Sequence, residues 1–128
     1  MKSFASVLLL SGLAAAIPMA NQKRDSGTGD ATYYDVSPAK GSCGTQAGNN
    51  DPVVALSIPD MANGANPNAN PLCGKTITIT YGGNSFQGTV YDTCEGCAAG
   101  SIDLSQGWFP TVFPTGDGRV HGVTWSIS

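Results

Sequence analysis

Histidine is nearly absent from this chain. His121 is the only one in 128 residues, and no serine or cysteine nucleophile neighbours it, so no acyl-transfer triad is visible. Basic residues are scarce as well. After residue 24 only Lys40, Lys75 and Arg119 remain, against eight aspartates and Glu95, a net charge of −6. Nucleic acid and anionic lipid both need a basic patch, so neither is an expected partner. There is no Asn-x-Ser/Thr acceptor for N-glycosylation and no Gly-rich phosphate loop. Beyond the first residues no apolar run is long enough to span a bilayer. No repeat of solenoid length is present, and good helix formers seldom occur in series.

What is there begins with a leader. Lys2 supplies a charged start, Val7 to Ile17 is apolar apart from Ser11 and Gly12, and Ala14-Ala15-Ala16 offers small residues for cleavage. Residues 1–16 therefore read as a secretory signal peptide, too short for an anchor. Lys23-Arg24 is a dibasic pair, so residues 17–24 read as a pro-segment and 25–128 as one exported domain of 104 residues. Intact mass of the secreted protein tests this; a mass starting at Ile17 would contradict the second cleavage.

Export governs the reading of Cys43, Cys73, Cys94 and Cys97. Four cysteines in a small exported domain read as two disulfides with three possible connectivities. A four-cysteine zinc site is the rival, but Cys43 and Cys73 lack the paired spacing of zinc ribbons. A redox role for Cys94 and Cys97 wants a helix start after the first cysteine, and Ala-Ala-Gly follows the pair instead. No metal or cofactor is expected.

Seventeen glycines, eight prolines and short alternating runs predict an all-β domain. Lys75 to Tyr81 alternates Ile77 and Ile79 with Thr76, Thr78 and Thr80. Gly82-Gly83-Asn84 is a turn, and Ser85 to Asp92 returns as the second arm of a hairpin. Gly88 inside that arm marks a bulge or a close backbone approach. Asp30 to Val36 and Pro52 to Ser57 read as further strands. Arg119 to Ser128 reads as the last, with His121, Val123, Trp125 and Ile127 on one heavy face. Asp103-Leu104-Ser105-Gln106 has capping-box spacing and predicts one short helix, limited by Pro110 and Pro114.

Several motifs then occur in order: Ala31-Thr32-Tyr33-Tyr34, Gly41-Ser42-Cys43-Gly44, Cys73-Gly74-Lys75, Val90-Tyr91-Asp92 with Cys94 and Cys97, Ile102-Asp103-Leu104-Ser105, and Val123-Thr124-Trp125. As a set, spanning essentially all of residues 25–128, they resemble the double-psi β-barrels of the rare lipoprotein A-like and barwin-like proteins. That superfamily includes the first domain of expansins and a family of inverting endoglucanases. The resemblance implies a closed six-stranded barrel with a groove across one face. It also implies the pairing Cys43–Cys73, leaving Cys94–Cys97 as a tight clip. The dibasic site suits a fungal source.

The same resemblance singles out carboxylates. Asp103 matches a groove aspartate that resembles the general acid of the endoglucanases, and Asp92 matches a second groove aspartate of expansin-like proteins. An acid needs a raised pKa, from burial or a neighbouring carboxylate. Asp103 as a helix cap would instead be ionised and held low. Asp35, after Tyr33-Tyr34, resembles the segment bearing the endoglucanase base. Val36-Ser37-Pro38 follows it where those enzymes have a cysteine pair. Asp35 and Asp103 would have to stand about 6.5–9.5 Å apart to admit a water. Glu95 reads as an exposed residue between the clip cysteines, and His121 as a strand histidine bonded to backbone. Rare lipoprotein A transglycosylases use a histidine after the early strands; Val53 to Ala65 has none.

The expected function is a secreted, monomeric, extracellular barrel that binds or loosens cell-wall polysaccharide without hydrolysis, through a groove of Thr32, Tyr33, Asp92 and Asp103. An alternative is a protein-binding module, a protease inhibitor or effector, presenting the loops Gly41 to Asn50 and Asn63 to Pro71. A second alternative is hydrolysis by Asp35 and Asp103.

Overall fold

A computed structural model describes residues 25–128. The leader and pro-segment lie outside the described residues. The chain runs β1 (Ser26–Tyr34), β2 (Val53–Ser57), α1 (Ile58–Met61), a 3-10 turn (Pro67–Ala69), β3 (Thr76–Tyr81), β4 (Asn84–Cys94), β5 (Ile102–Ser105), α2 (Phe109–Val112) and β6 (Val120–Ile127).

The six strands close into a barrel in the order β1-β5-β2-β4-β3-β6. The pairs β1/β5 and β2/β4 are parallel; the rest are antiparallel. Parallel neighbours demand crossovers instead of hairpins, and here two crossovers interlock. Only β3/β4 is a hairpin, turned by Gly82 (φ 59°) and Gly83 (φ 83°), with Tyr81 facing Asn84 across the turn. Two successive positive φ values are what a type I′ turn requires, and glycine takes them without strain.

The strand faces that point inward carry Ala31, Val54, Leu56, Ile77, Ile79, Val90, Ile102, Leu104, Val123 and Trp125, all buried. Trp125 donates its indole N–H to the Gly100 carbonyl at 2.9 Å, which satisfies its buried polar atom. Gly88 is a close approach: a Cβ there would lie 2.8 Å from the Trp108 ring and 2.9 Å from the Pro52 carbonyl. Outside the barrel Val36, Val53 and Tyr91 form a smaller cluster under the loop that follows β1. The disulfides are Cys43–Cys73 and Cys94–Cys97.

Two sequence expectations are corrected. Residues 102–105 are a strand, and the helix begins six residues beyond Asp103, at Phe109, with no side-chain cap on Trp108. Asp103 therefore caps nothing. Ile102 and Leu104 are fully buried between β1 and β2, and that two-sided pairing outweighs a local capping signal. A second helix, α1, is capped by Ser57, whose hydroxyl accepts from the Asp60 N–H.

His121 is the other correction. Regular alternation in β6 would put it on the heavy face, but Val120 and Val123 are both buried and His121 is exposed. Gly29 pairs with Val123 and Ala31 with Val120, so Asp30 alone faces both His121 and Gly122. Gly122 takes φ 73°, the left-handed conformation of a bulge, and the extra residue turns His121 outward.

Candidate functional site

A groove of about 640 Å³ crosses the outer face of β1, β5, β2 and β4. Its floor follows from register. Thr32 pairs with Asp103, Asp103 with Ala55, and Ala55 with Asp92, so four side chains form one row across four strands. Asp92 joins the row because β4 carries a bulge: Val54 pairs with Val90, but Ala55 pairs with Asp92. The skipped residue, Tyr91, turns into the cluster with Val36 and Val53. Ala55 is the smallest member of the row and leaves the groove open between the two carboxylates.

Each carboxylate has its own surroundings. Asp92 accepts three hydrogen bonds: Ser42 N–H at 2.7 Å and Thr93 N–H at 2.8 Å on Oδ1, and the Tyr34 hydroxyl at 2.9 Å on Oδ2. Tyr34 thus reaches from β1 across β5 and β2 to β4. Burial, then the Asp92 charge and hydrogen bond, push the Tyr34 phenol above its ordinary range, so it stays a neutral donor. Among the described residues Asp103 accepts one hydrogen bond, from the Thr32 hydroxyl at 2.9 Å. Burial, the largest effect, raises the Asp103 carboxyl; the Thr32 bond opposes this, the Asp92 charge adds to it, and the Arg119 charge opposes it. Burial thus moves the Asp103 carboxyl in the direction a general acid needs.

The rim comes from three loops. The Cys94–Cys97 clip with Glu95 and Gly96 forms one wall. Ser42 and Thr93 share a hydroxyl pair at 2.7 Å, and the Asn63 amide donates to Thr93 at 3.0 Å. On the far side Asp30 accepts from Arg119 at 3.0 Å, and His121 Nδ1 lies 2.8 Å from its other oxygen. His121, followed by Arg119, holds the Asp30 carboxyl below the ordinary range.

Of the residues expected in the groove, Thr32, Asp92 and Asp103 line it together. Tyr33 does not. Strand alternation sends it to the other face, where it packs on Phe109 with ring centroids 5.0 Å apart. Tyr34 takes its place. Asp35 also lies away from the groove lining. Its Oδ1 accepts from Ser37 N–H, Ser37 hydroxyl and Asn49 amide at 2.7–2.9 Å, and these bonds hold its carboxyl low. Glu95 is exposed on the rim. His121 bonds a carboxylate and not the backbone. Sequence reasoning missed Asp30 and Arg119, which only the β6 bulge brings together. The sulfurs of Cys94 and Cys97 stand within 4.8 Å of an Asp103 oxygen, but both are tied in a disulfide and offer no thiolate to a metal.

A closed six-stranded barrel with two interlocked parallel pairs is the architecture of the double-psi β-barrels, which include the barwin-like and rare lipoprotein A-like proteins. No family model matches the chain. Over 94% of its length, however, it is 35% identical to the papain inhibitor of Streptomyces mobaraensis, covering 82% of that protein. The chain thus belongs to the family of that inhibitor. The solved Streptomyces papain inhibitor superposes with a TM-score of 0.71 at 33% identity, over 83% of this chain and 98% of that one. The chain is also 38% identical, over 77% of its length, to the Allergen Asp f 7 homolog of Arthroderma benhamiae, but spans only 38% of that protein. The expansin of Clavibacter michiganensis, solved in complex with cellohexaose, shares the fold at a TM-score of 0.61 and 22% identity, over 80% of this chain and 50% of that one.

Proposed function

We propose that this protein is exported and that its groove binds a strand of extracellular cell-wall polysaccharide without cutting it. The observation that carries this reading is the row Thr32, Asp103, Ala55 and Asp92 in an open groove. One hydroxyl and two carboxylates around a small residue suit a ligand with many hydroxyls. Asp103 has acceptor capacity to spare. Asp92 has most of its own taken by three donors, so it orients the site and is poorly placed to activate water. Inverting hydrolysis needs that second, water-activating group. Asp35, fastened by Ser37 and Asn49, does not line the groove to supply it.

The test is depletion of the protein by cellulose, chitin and peptidoglycan, beside a reducing-sugar assay. Wild type should bind at least one wall fraction and release no reducing ends. Asp103→Asn and Asp92→Asn should bind about tenfold more weakly each, the order expected for a lost charged hydrogen bond. Failure of the wild type to bind any fraction sinks this reading.

The relationship to the papain inhibitor favours a second reading, inhibition of a papain-like protease by the loops Gly41 to Asn50 and Asn63 to Pro71. The first of these is held by the Cys43–Cys73 disulfide, and the second by the Asn70 amide on Met61 and Asn63. Rigid loops lose little entropy on docking. Absence of papain inhibition at micromolar protein argues against it.

A further inference from the structure

Away from the groove, four aromatic rings run across the barrel end that α2 closes. Tyr33, Phe109, Phe113 and Tyr81 touch in that order, with ring centroids 5.0, 5.0 and 5.4 Å apart. The two phenylalanines are buried, but Tyr33 is 49% and Tyr81 41% exposed. Within the described residues neither tyrosine hydroxyl has a hydrogen-bond partner. Two hollows of about 440 Å³ share a wall of Phe113, Pro114, Gly116 and Asp117; Tyr81 lines one and Tyr33 the other. Arg119 lines both the Tyr81 hollow and the acidic groove, so the two surfaces meet at that side chain.

We propose that this barrel end is a second saccharide surface, where Tyr33 and Tyr81 each stack one sugar ring of a polymer that also occupies the groove. The proposal rests on the polysaccharide reading above. A sugar ring has an apolar C–H face and a rim of hydroxyls. A half-exposed tyrosine offers the matching flat plate with a polar tip. Gln106 beside Tyr33, and Asn84 and Thr115 beside Tyr81, supply polar partners for that rim.

The pattern of exposure selects this occupant over a protein. A protein interface has a continuous apolar centre, and a stable one covers about 800 Å² on each partner. Here the middle of the run is already buried, and two separate half-exposed tyrosines offer only about 200 Å² between them. That is too little for a second copy of this chain. It is enough for two stacked rings. A long polymer crossing Arg119 would engage both surfaces, whereas a short oligosaccharide seated in the groove would engage one.

The experiment compares wild type, Tyr33→Ala/Tyr81→Ala, Tyr33→Phe/Tyr81→Phe and Asp103→Asn. Each is tested on the insoluble polymer that wild type binds and on a short soluble oligosaccharide of the same sugar. The double alanine variant should lose about tenfold or more in polymer affinity and keep its affinity for the short ligand. The double phenylalanine variant keeps the plates and should bind within about threefold of wild type. Asp103→Asn should weaken both ligands. Near-ultraviolet circular dichroism and thermal melting confirm that each variant is folded, and if the double alanine variant is not, Tyr81→Ala alone carries the test. Wild-type polymer affinity in a folded alanine variant, with Asp103→Asn still weakened, overturns this proposal and leaves the groove reading standing. A wild type that binds no polysaccharide overturns both. Weight-average mass that rises with concentration in wild type but not in the alanine variant reassigns the patch to self-association and overturns the proposal.

Discussion

Asp92 accepts three hydrogen bonds where Asp103 accepts one, and the difference divides their roles. Because burial raises the Asp103 carboxyl in the fold, ionising it costs more in the native state than in the unfolded chain. That cost is present at neutral pH. It disappears as pH falls below the unfolded carboxylate value, about 3.9, where both states are protonated. Asp103→Asn should therefore be more stable than wild type in urea at pH 7, and the gap should close by pH 3. Equal gaps at both pH values would contradict the burial account. A second aspartate matters to stability alone. Asp60 is fully buried, and its Oδ2 accepts from the Ser57 hydroxyl at 2.8 Å and the Gly100 N–H at 2.7 Å. Asp60→Ala leaves the Gly100 donor buried without that acceptor and should cost about 2–4 kcal/mol in chemical denaturation. Both groove aspartates were legible in the sequence because they stand in recognisable local motifs. Asp60 was not, since nothing near Ser57-Ile58-Pro59-Asp60 signals that Gly100, forty residues on, supplies a donor.

At the scale of elements, two bulges do most of the placing. The bulge in β4 replaces Tyr91 by Asp92 beside Ala55, and the bulge in β6 delivers His121 to Asp30. A bulge shifts the phase of the alternation, so a pattern read on one side of it fails on the other. That is why the heavy face of β6 was assigned correctly at Val123 and Trp125 but wrongly at His121. The loop between β4 and β5 illustrates a related limit. Gly96 and Gly100 look alike in sequence. A Cβ on Gly96 would meet nothing within 4 Å, whereas one on Gly100, at φ 89°, would fall 2.2 Å from the Thr28 carbonyl oxygen. Gly96→Ala should leave the melting temperature within about 2 °C. Gly100→Ala should cost about 3 kcal/mol or more, because it sets a left-handed φ against backbone that cannot yield. Thermal denaturation of the two variants side by side measures the contrast.

The whole molecule is a small closed barrel with two disulfides of unequal weight. Cys43–Cys73 closes a separation of 30 residues and Cys94–Cys97 one of 3. On loop entropy, removing the first should cost about 3–4 kcal/mol and removing the second about 1–2 kcal/mol. Serine pairs at each site, compared by urea midpoint, test this; a larger loss from the 94/97 pair would show that the clip holds more than its own loop. Closure also explains the balance between legible and hidden features. The β content and the hairpin at Gly82-Gly83 were legible in the chain because alternation and turn chemistry act over a few neighbours, while the barrel type and the groove residues Thr32, Asp92 and Asp103 came from the resemblance of its ordered motifs to a known family. It took long-range pairing to make Ile102 to Ser105 a strand, to turn His121 out to Asp30, and to let Arg119 join the groove to the aromatic barrel end. Those outcomes depend on pairing between strands about 70 or more residues apart and on bulges that shift register, and short-range signals carry neither.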